Sequence, residues 1–158
     1  MEDLINILYS KHSEKTTLPS PMLVDSFVDS LLSMLFPAFN NKKIVSKDQL
    51  IDEYYKTSKS LEVLLLHLER DLSYSIAEVV KLFFDQLPSI YESLLKDAEA
   101  IDNGDPAANG IEEVMRSYPG FYAISIYRVA HQFYQLVKNR GFDICRDNKI
   151  QNFFQKFF

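Results

Sequence analysis

Apolar residues recur every three or four positions along most of the chain, a spacing that places them on one face of an α-helix. The first of these patterns predicts a short amphipathic helix over residues 2–11. Strand-like alternation is absent, and 4 glycines and 6 prolines are too few for a β-sandwich or barrel, which turns about every 8–12 residues. The pattern therefore predicts an all-α fold, a bundle of about seven or eight helices.

Helix-capping residues indicate where two of these helices begin. Ser20-Pro21 predicts a helix over 21–35, because serine accepts from a free N–H and proline at the first helical position loses no hydrogen bond. Ser46-Lys47-Asp48-Gln49 matches a capping box, in which the glutamine reaches back, and predicts a helix over 47–70. The apolar positions expected on the core face of that helix are Leu50, Ile51, Tyr54, Leu61, Leu64, Leu65 and Leu68.

A proline and a polar cluster divide the chain further. Asp71 or Ser73 is expected to cap the next helix. Pro88 must kink or restart that helix, because proline lacks the N–H that a helix interior needs. Residues 102–110 are dense in loop formers and predict the main internal break of the fold.

Two helices are predicted after this break. Asn109 is expected to cap a short helix over 111–118, and Pro119 to open a longer one that Gly141 ends. The remaining residues, 142–158, are basic and rich in phenylalanine, and no helix or strand is predicted for them.

Length, composition and charge indicate one folded domain. The 158 residues are 47% apolar and 25% charged, which is typical of a globular chain. The net charge of −5 provides no long-range attraction to phosphate backbones or anionic membranes. The longest strongly apolar stretch, 31–39, is far shorter than the ~18 residues that a membrane span requires. Neither nucleic acid nor a membrane is therefore an expected partner.

Cysteine usage and the N-terminus favour the cytoplasm. Cys145 is the single cysteine, which excludes an intrachain disulfide framework and a cysteine-rich zinc site. Met1-Glu2-Asp3-Leu4 is acidic where a secretory signal would be basic. We therefore expect a cytoplasmic protein.

Generic catalytic motifs are missing from the sequence. It has no Gly-rich phosphate loop, no HExxH, no CxxC and no Gly-x-Ser-x-Gly. His12, His67 and His131 are dispersed, and each is interpreted as a structural or surface histidine. No catalytic residue and no metal ligand is therefore expected in this chain.

Three short motifs follow one another between residues 104 and 134. They are Gly-Asp-Pro-Ala-Ala at 104–108, Tyr-Pro-Gly-Phe at 118–121 and Tyr-Arg-Val-Ala-His at 127–131. In this order and spacing they resemble the helical region of the serine O-acetyltransferase family.

The resemblance implies a division of labour between two domains. In that family an N-terminal helical domain precedes a left-handed parallel β-helix, which binds acetyl-CoA and supplies a histidine base. The base deprotonates the L-serine hydroxyl, which attacks the thioester and gives O-acetylserine for cysteine synthesis. The resemblance thus implies acetyl-CoA as the co-substrate of the full-length enzyme and no cofactor held by this chain.

The resemblance also implies one substrate contact in this chain. The aspartate of the first motif, here Asp105, contributes a carboxylate to the serine site, and a carboxylate suits the substrate's ammonium. Taken alone, Asp105 before Pro106 also fits a turn or cap residue, and Pro106 is assigned a structural role. Tyr127, Arg128 and His131 are expected to support packing or an interface rather than to catalyse.

The chain departs from the family pattern after about Tyr134. The β-helix repeats need an aliphatic residue before glycine every six positions. The four glycines of this chain instead follow Asn103, Asn109, Pro119 and Arg140. We therefore expect no β-helix, no acetyl-CoA site and no activity of this chain alone, with a helical domain at 1–137 and a divergent tail at 138–158.

Two functional interpretations remain open. The first is the helical domain of a serine O-acetyltransferase, which binds L-serine only when a repeat domain is present. The alternative is a non-catalytic helical module for oligomerisation or regulation. A homo-oligomer formed through helices is expected, because the phenylalanines of residues 153–158 expose apolar surface unless they pack. By family association, cysteine synthase is a further expected partner.

Overall fold

The computed structural model describes residues 2–13, 19–39, 44–69, 72 and 74–138. This part of the chain is all-α, as predicted, with seven α-helices and one short 3-10 turn at Pro37–Phe39. The helices are α1 (Glu2–Ser13), α2 (Pro21–Leu35), α3 (Lys47–Leu66), α4 (Ile76–Asp85), α5 (Leu87–Gly104), α6 (Ile111–Ser117) and α7 (Pro119–Lys138).

Serine caps begin α2 and α3 where the sequence predicts them. The Ser20 hydroxyl accepts from the backbone N–H of Leu23, with proline at the first position of α2. The Ser46 hydroxyl accepts from the N–H of Gln49 at 3.2 Å. The Gln49 amide oxygen, however, accepts from the N–H of Val45 at 2.9 Å, one residue before the partner that a capping box requires.

The cap of α4 corrects the sequence prediction. Asp71 and Ser73, the predicted caps, lie outside the described residues, and α4 begins later, after Ser75. The Ser75 hydroxyl accepts from the N–H of Glu78, and the Glu78 carboxylate accepts from the N–H of Ser75 at 3.0 Å. A full capping box, at a Ser-x-x-Glu pattern, therefore begins α4.

The two breaks in the second half differ in detail from the prediction. Pro88 lies in the first turn of α5, where its missing N–H leaves no helical hydrogen bond unmade, so the helix restarts as expected. Gly110, and not Asn109, is the residue that precedes α6. The prediction of an Asn109 cap is therefore wrong: its N–H donates to Glu113, and Gly110 takes a φ of 104° that favours glycine.

The core is built around aromatic rings from several helices. The Phe83 ring of α4 stacks on that of Phe133 of α7, with centroids 4.4 Å apart, and meets Phe27 of α2 edge-on at 5.9 Å. Phe36, which ends α2, contacts the ring of Phe121 at the start of α7. Aromatic contacts of this kind add to the apolar area that the rings bury, so the core joins α2, α4 and α7.

Two predicted apolar faces are exposed. Helix α1 forms as predicted but buries none of its described side chains. On α3, Leu50, Ile51 and Tyr54 are 43%, 50% and 40% exposed, so their assignment to the core is wrong. That half of α3 borders an open groove beside α2, whereas the C-terminal half buries Leu61 and Leu64. Among the described helices, none is long and apolar enough to span a membrane.

Candidate functional site

Asp105 lies at the C-terminal end of α5, where the chain turns toward α6. Its backbone N–H donates to the carbonyl of Ile101 at 3.0 Å, and it adopts an extended conformation with φ −112° and ψ 109°. The helix ends here because Pro106 follows, and the residue before a proline is disfavoured in the helical region. Asp105 is half-buried.

Each oxygen of the Asp105 carboxylate has one hydrogen-bond donor. Oδ1 accepts from the backbone N–H of Ala107 at 2.9 Å, and Oδ2 accepts from the Tyr118 hydroxyl at 3.0 Å. The bond to Ala107 is that of an Asx turn, so the turn role weighed from the sequence is present. A carboxylate has about four lone-pair positions, so two remain for a further donor.

The loop after Asp105 is held by hydrogen bonds to its backbone. The Ala108 N–H donates to the carbonyl of Asp105. The Asn109 N–H donates to the Glu113 carboxylate at 2.8 Å, and the Gly110 N–H donates to the Asp102 carboxylate at 2.9 Å. With the bond at Ala107, every N–H of residues 107–110 therefore has an acceptor, which fixes the path of the loop between α5 and α6.

The electrostatic potential around this loop is negative. Burial, followed by the hydrogen bond to Asp105 and the charges of Asp105, Glu113 and Asp102, raises the pKa of Tyr118 above its ordinary value. The C-terminal end of α5 adds the negative end of a helix dipole. The arrangement therefore favours a cation such as an ammonium group over an anion.

Arg128 forms a paired contact away from Asp105. Its Nε and Nη2 donate to the two carboxylate oxygens of Asp97, each at 2.8 Å. This bidentate pair ties α7 to α5 and is charge-assisted. Asp97 precedes Asp105 by about two helical turns, or roughly 12 Å along the axis of α5. Arg128 therefore braces the two helices and does not face Asp105.

Two other predicted supporting residues, Tyr127 and His131, contact each other on α7. The Tyr127 ring stacks on His131, one turn later on α7, with centroids 5.6 Å apart. The His131 Nε2 lies 2.9 Å from the side-chain nitrogen of Gln135. Pro106 is exposed in the loop itself. Of the predicted supporting residues, Pro106 is thus the one that adjoins Asp105.

Three side chains of this region were missed by the sequence interpretation. Tyr118, Asp102 and Glu113 hold Asp105 or the backbone of its loop. Tyr118 belongs to a recognised motif, but its spacing of thirteen residues from Asp105 does not indicate a contact. The path of the loop between α5 and α6 decides that contact, and residue types do not specify this path.

A concave region lies between α2 and α3. This open groove of about 810 Å³ is lined mostly by polar and acidic side chains, among them Asp25, Asp29 and Asp52. The Tyr122 hydroxyl donates to Asp29 at 2.8 Å, which ties α7 to this region. The groove lining includes none of the residues predicted to bind substrate.

Comparison with known proteins gives one sequence relative over part of the chain. No protein-family model matches the chain. Over 65 residues it is 43% identical to "Serine acetyltransferase, plasmid" of Synechococcus elongatus. The matched region covers 41% of this chain and 20% of that protein.

Comparison with solved structures shows a shared helical fold. Two crystal structures of Entamoeba histolytica serine acetyltransferase 1, one native and one in complex with L-cysteine, match with a TM-score of 0.60 and 24% identity. The match covers 82% of this chain but only 46% and 47% of those two chains. The chain therefore spans less than half the length of either solved protein.

Proposed function

Because this chain resembles the N-terminal helical region of serine acetyltransferases, we propose that it is the helical domain of an enzyme that acetylates L-serine. Acetyl-CoA is the donor and O-acetylserine the product, which serves cysteine biosynthesis. The 65-residue similarity to the Synechococcus elongatus protein carries the proposal. Residues 1–137 form the helical domain, and residues 138–158 form a divergent tail.

In this proposal Asp105 binds the substrate's ammonium group. The negative electrostatic potential at the end of α5 and the two free lone-pair positions of the carboxylate support this role. The Entamoeba histolytica relative was solved with L-cysteine, an amino acid with the same α-ammonium group as L-serine. The chain would orient the substrate, while the histidine base and the acetyl-CoA site belong to a repeat domain that its sequence does not contain.

A thiol-release assay tests this division of labour. The 158-residue chain alone should release no CoA from acetyl-CoA and serine, and calorimetry should detect no micromolar binding of CoA. Residues 1–137 fused to the repeat domain of the Synechococcus elongatus relative should release thiol only when serine is added. Turnover or tight CoA binding by the chain alone would show that the cofactor site lies within these helices.

A second candidate function is a non-catalytic oligomerisation module. The apolar face of α1 favours it, because Leu4, Ile5 and Leu8 are 59%, 57% and 46% exposed. We expect a homo-oligomer formed through helices in either function. Sedimentation velocity should show a smaller species for the Leu4→Ser/Leu8→Ser double variant. Met22→Ser, which changes an 80% exposed residue of α2, is the control and should leave the oligomer intact.

Further partners and the compartment follow from the same resemblance. We propose a cytoplasmic protein that associates with cysteine synthase through the assembled enzyme. Co-purification of tagged full-length enzyme with cysteine synthase tests this association. Fractionation of cells that express the tagged protein tests the compartment.

A further inference from the structure

Tyr118 is fixed at the junction of α6 and α7 before its side chain reaches Asp105. Its backbone N–H donates to the carbonyl of Val114 at 3.1 Å, and its carbonyl accepts from the N–H of Phe121 at 3.0 Å. Val114 and Phe121 are both fully buried. The phenol therefore extends from a point held by the core, and its hydroxyl lies 3.0 Å from Oδ2 of Asp105.

The Tyr118 hydroxyl removes the remaining freedom of the Asp105 carboxylate. The terminal torsion of an aspartate is broad, so a bond to one oxygen leaves the plane of the group poorly defined. The Ala107 N–H fixes Oδ1, and the Tyr118 hydroxyl fixes Oδ2. The two free lone-pair positions then keep one direction, which is what a pre-organised binding group requires.

We propose that Tyr118 is a positioning residue of the serine site, which sets the direction in which Asp105 meets the substrate's ammonium group. This inference rests on the proposed function of Asp105. It adds a second residue to that site and predicts that Tyr118 acts on serine binding through Asp105 alone.

The chain offers a matched control in Tyr122, four residues further on. Tyr122 is half-buried like Tyr118, and its hydroxyl donates to an aspartate, Asp29, at 2.8 Å. Asp29 lines the groove between α2 and α3 and is not part of the proposed serine site. Replacing either tyrosine by phenylalanine removes one hydroxyl and one bond to a carboxylate, so their effects on stability should be alike.

The first experiment uses the intact 158-residue chain. NMR of 13C-labelled tyrosine should follow the ionisation of Tyr118 in the parent chain and in the Asp105→Asn variant. The asparagine removes the negative charge and weakens the acceptor, so the pKa of Tyr118 should fall toward its ordinary value. An unchanged titration would show that the two groups do not interact in solution and would overturn the inference.

The second experiment is a double-mutant cycle in the fusion with a repeat domain. Tyr118→Phe should raise the KM for serine by about 3- to 10-fold, because it loosens the orientation of the Asp105 carboxylate without removing the bond from the ammonium, with kcat and the KM for acetyl-CoA within about twofold. In the Asp105→Asn background the same substitution should leave the KM for serine unchanged, because the carboxylate that Tyr118 orients is no longer present. Tyr122→Phe should leave the KM for serine unchanged.

The outcomes separate this inference from the proposed function. An Asp105→Asn variant with unaltered serine kinetics overturns the role of Asp105 itself, and the positioning role with it. If Asp105→Asn reduces serine turnover while Tyr118→Phe matches Tyr122→Phe in both KM and melting temperature, the positioning role alone is wrong. A loss from Tyr118→Phe that persists undiminished in the Asp105→Asn background also contradicts it.

Discussion

The aromatic core and the loop after α5 are held by different interactions. Phe83 is completely buried between rings of α2 and α7, and its contribution comes from apolar area and close packing. Residues 105–110 bury little apolar surface. They are held by carboxylates of Asp102, Asp105 and Glu113, each of which accepts from a backbone N–H.

The two kinds of interaction have different effects on the molecule. Apolar burial is non-directional, so the core can supply most of the folding free energy without fixing any polar atom. Hydrogen bonds to charged acceptors are directional, so the loop can hold a carboxylate at the surface in one orientation. The core therefore sets whether the chain folds, and the loop sets the orientation of the Asp105 carboxylate.

The largest expected effect comes from the core. Phe83→Ala should lower the free energy of unfolding by about 3–5 kcal/mol, because it removes a buried ring and leaves a cavity. Met22→Ala, at an 80% exposed position of α2, is the control and should change stability by less than about 0.5 kcal/mol. Urea unfolding followed by circular dichroism measures both, and similar losses from the two would contradict the assigned core.

An intermediate effect is expected from the backbone of the loop. Gly110→Ala should destabilise the chain by about 1–2 kcal/mol, because a side chain is strained at a φ of 104°. Gly104→Ala is the matched control: no atom lies within 4 Å of an added Cβ there, and α5 continues to that residue. It should be neutral or stabilise by up to about 1 kcal/mol. Equal losses at the two glycines would show that the turn is not as described.

A smaller effect concerns the stability of the fold in alkaline solution. Burial, then the hydrogen bond to Asp29, raises the pKa of Tyr122 well above its ordinary value. The folded chain thus keeps a proton that the unfolded chain loses above about pH 10, so stability must fall as the pH rises. Urea titrations between about pH 9 and 12 should show a shallower decline for Tyr122→Phe than for the parent chain. Superimposable declines would exclude a protonated Tyr122 contact.

Most helix boundaries could be predicted because they depend on local chemistry. Ser20-Pro21 and Pro88 act through their own backbone bonds, and both mark helix starts in the structure. The Ser75 cap was missed although its Ser-x-x-Glu pattern is in the sequence. The face of α3 was partly misassigned because periodicity identifies an apolar face without showing whether another helix covers it.

The site could be predicted only where a motif carried it. Asp105 is identifiable from the residues around it and from the resemblance of the motif to a family. Its contact with Tyr118 depends on a turn at Gly110 and on the short α6 between them. Such a contact joins residues that are distant in sequence, and no pattern of residue types specifies it.

The most direct test of the account is the serine kinetics of Asp105→Asn in the fusion with a repeat domain. If Asp105 binds the ammonium, the loss of one charge-assisted bond, about 1.5–3 kcal/mol, should lower kcat/KM for serine by about 10- to 150-fold. The KM for acetyl-CoA and the melting temperature should stay close to those of the parent, since asparagine also serves in turns. Serine kinetics within about twofold of the parent, with a lowered melting temperature, would contradict the account and make Asp105 a turn residue only.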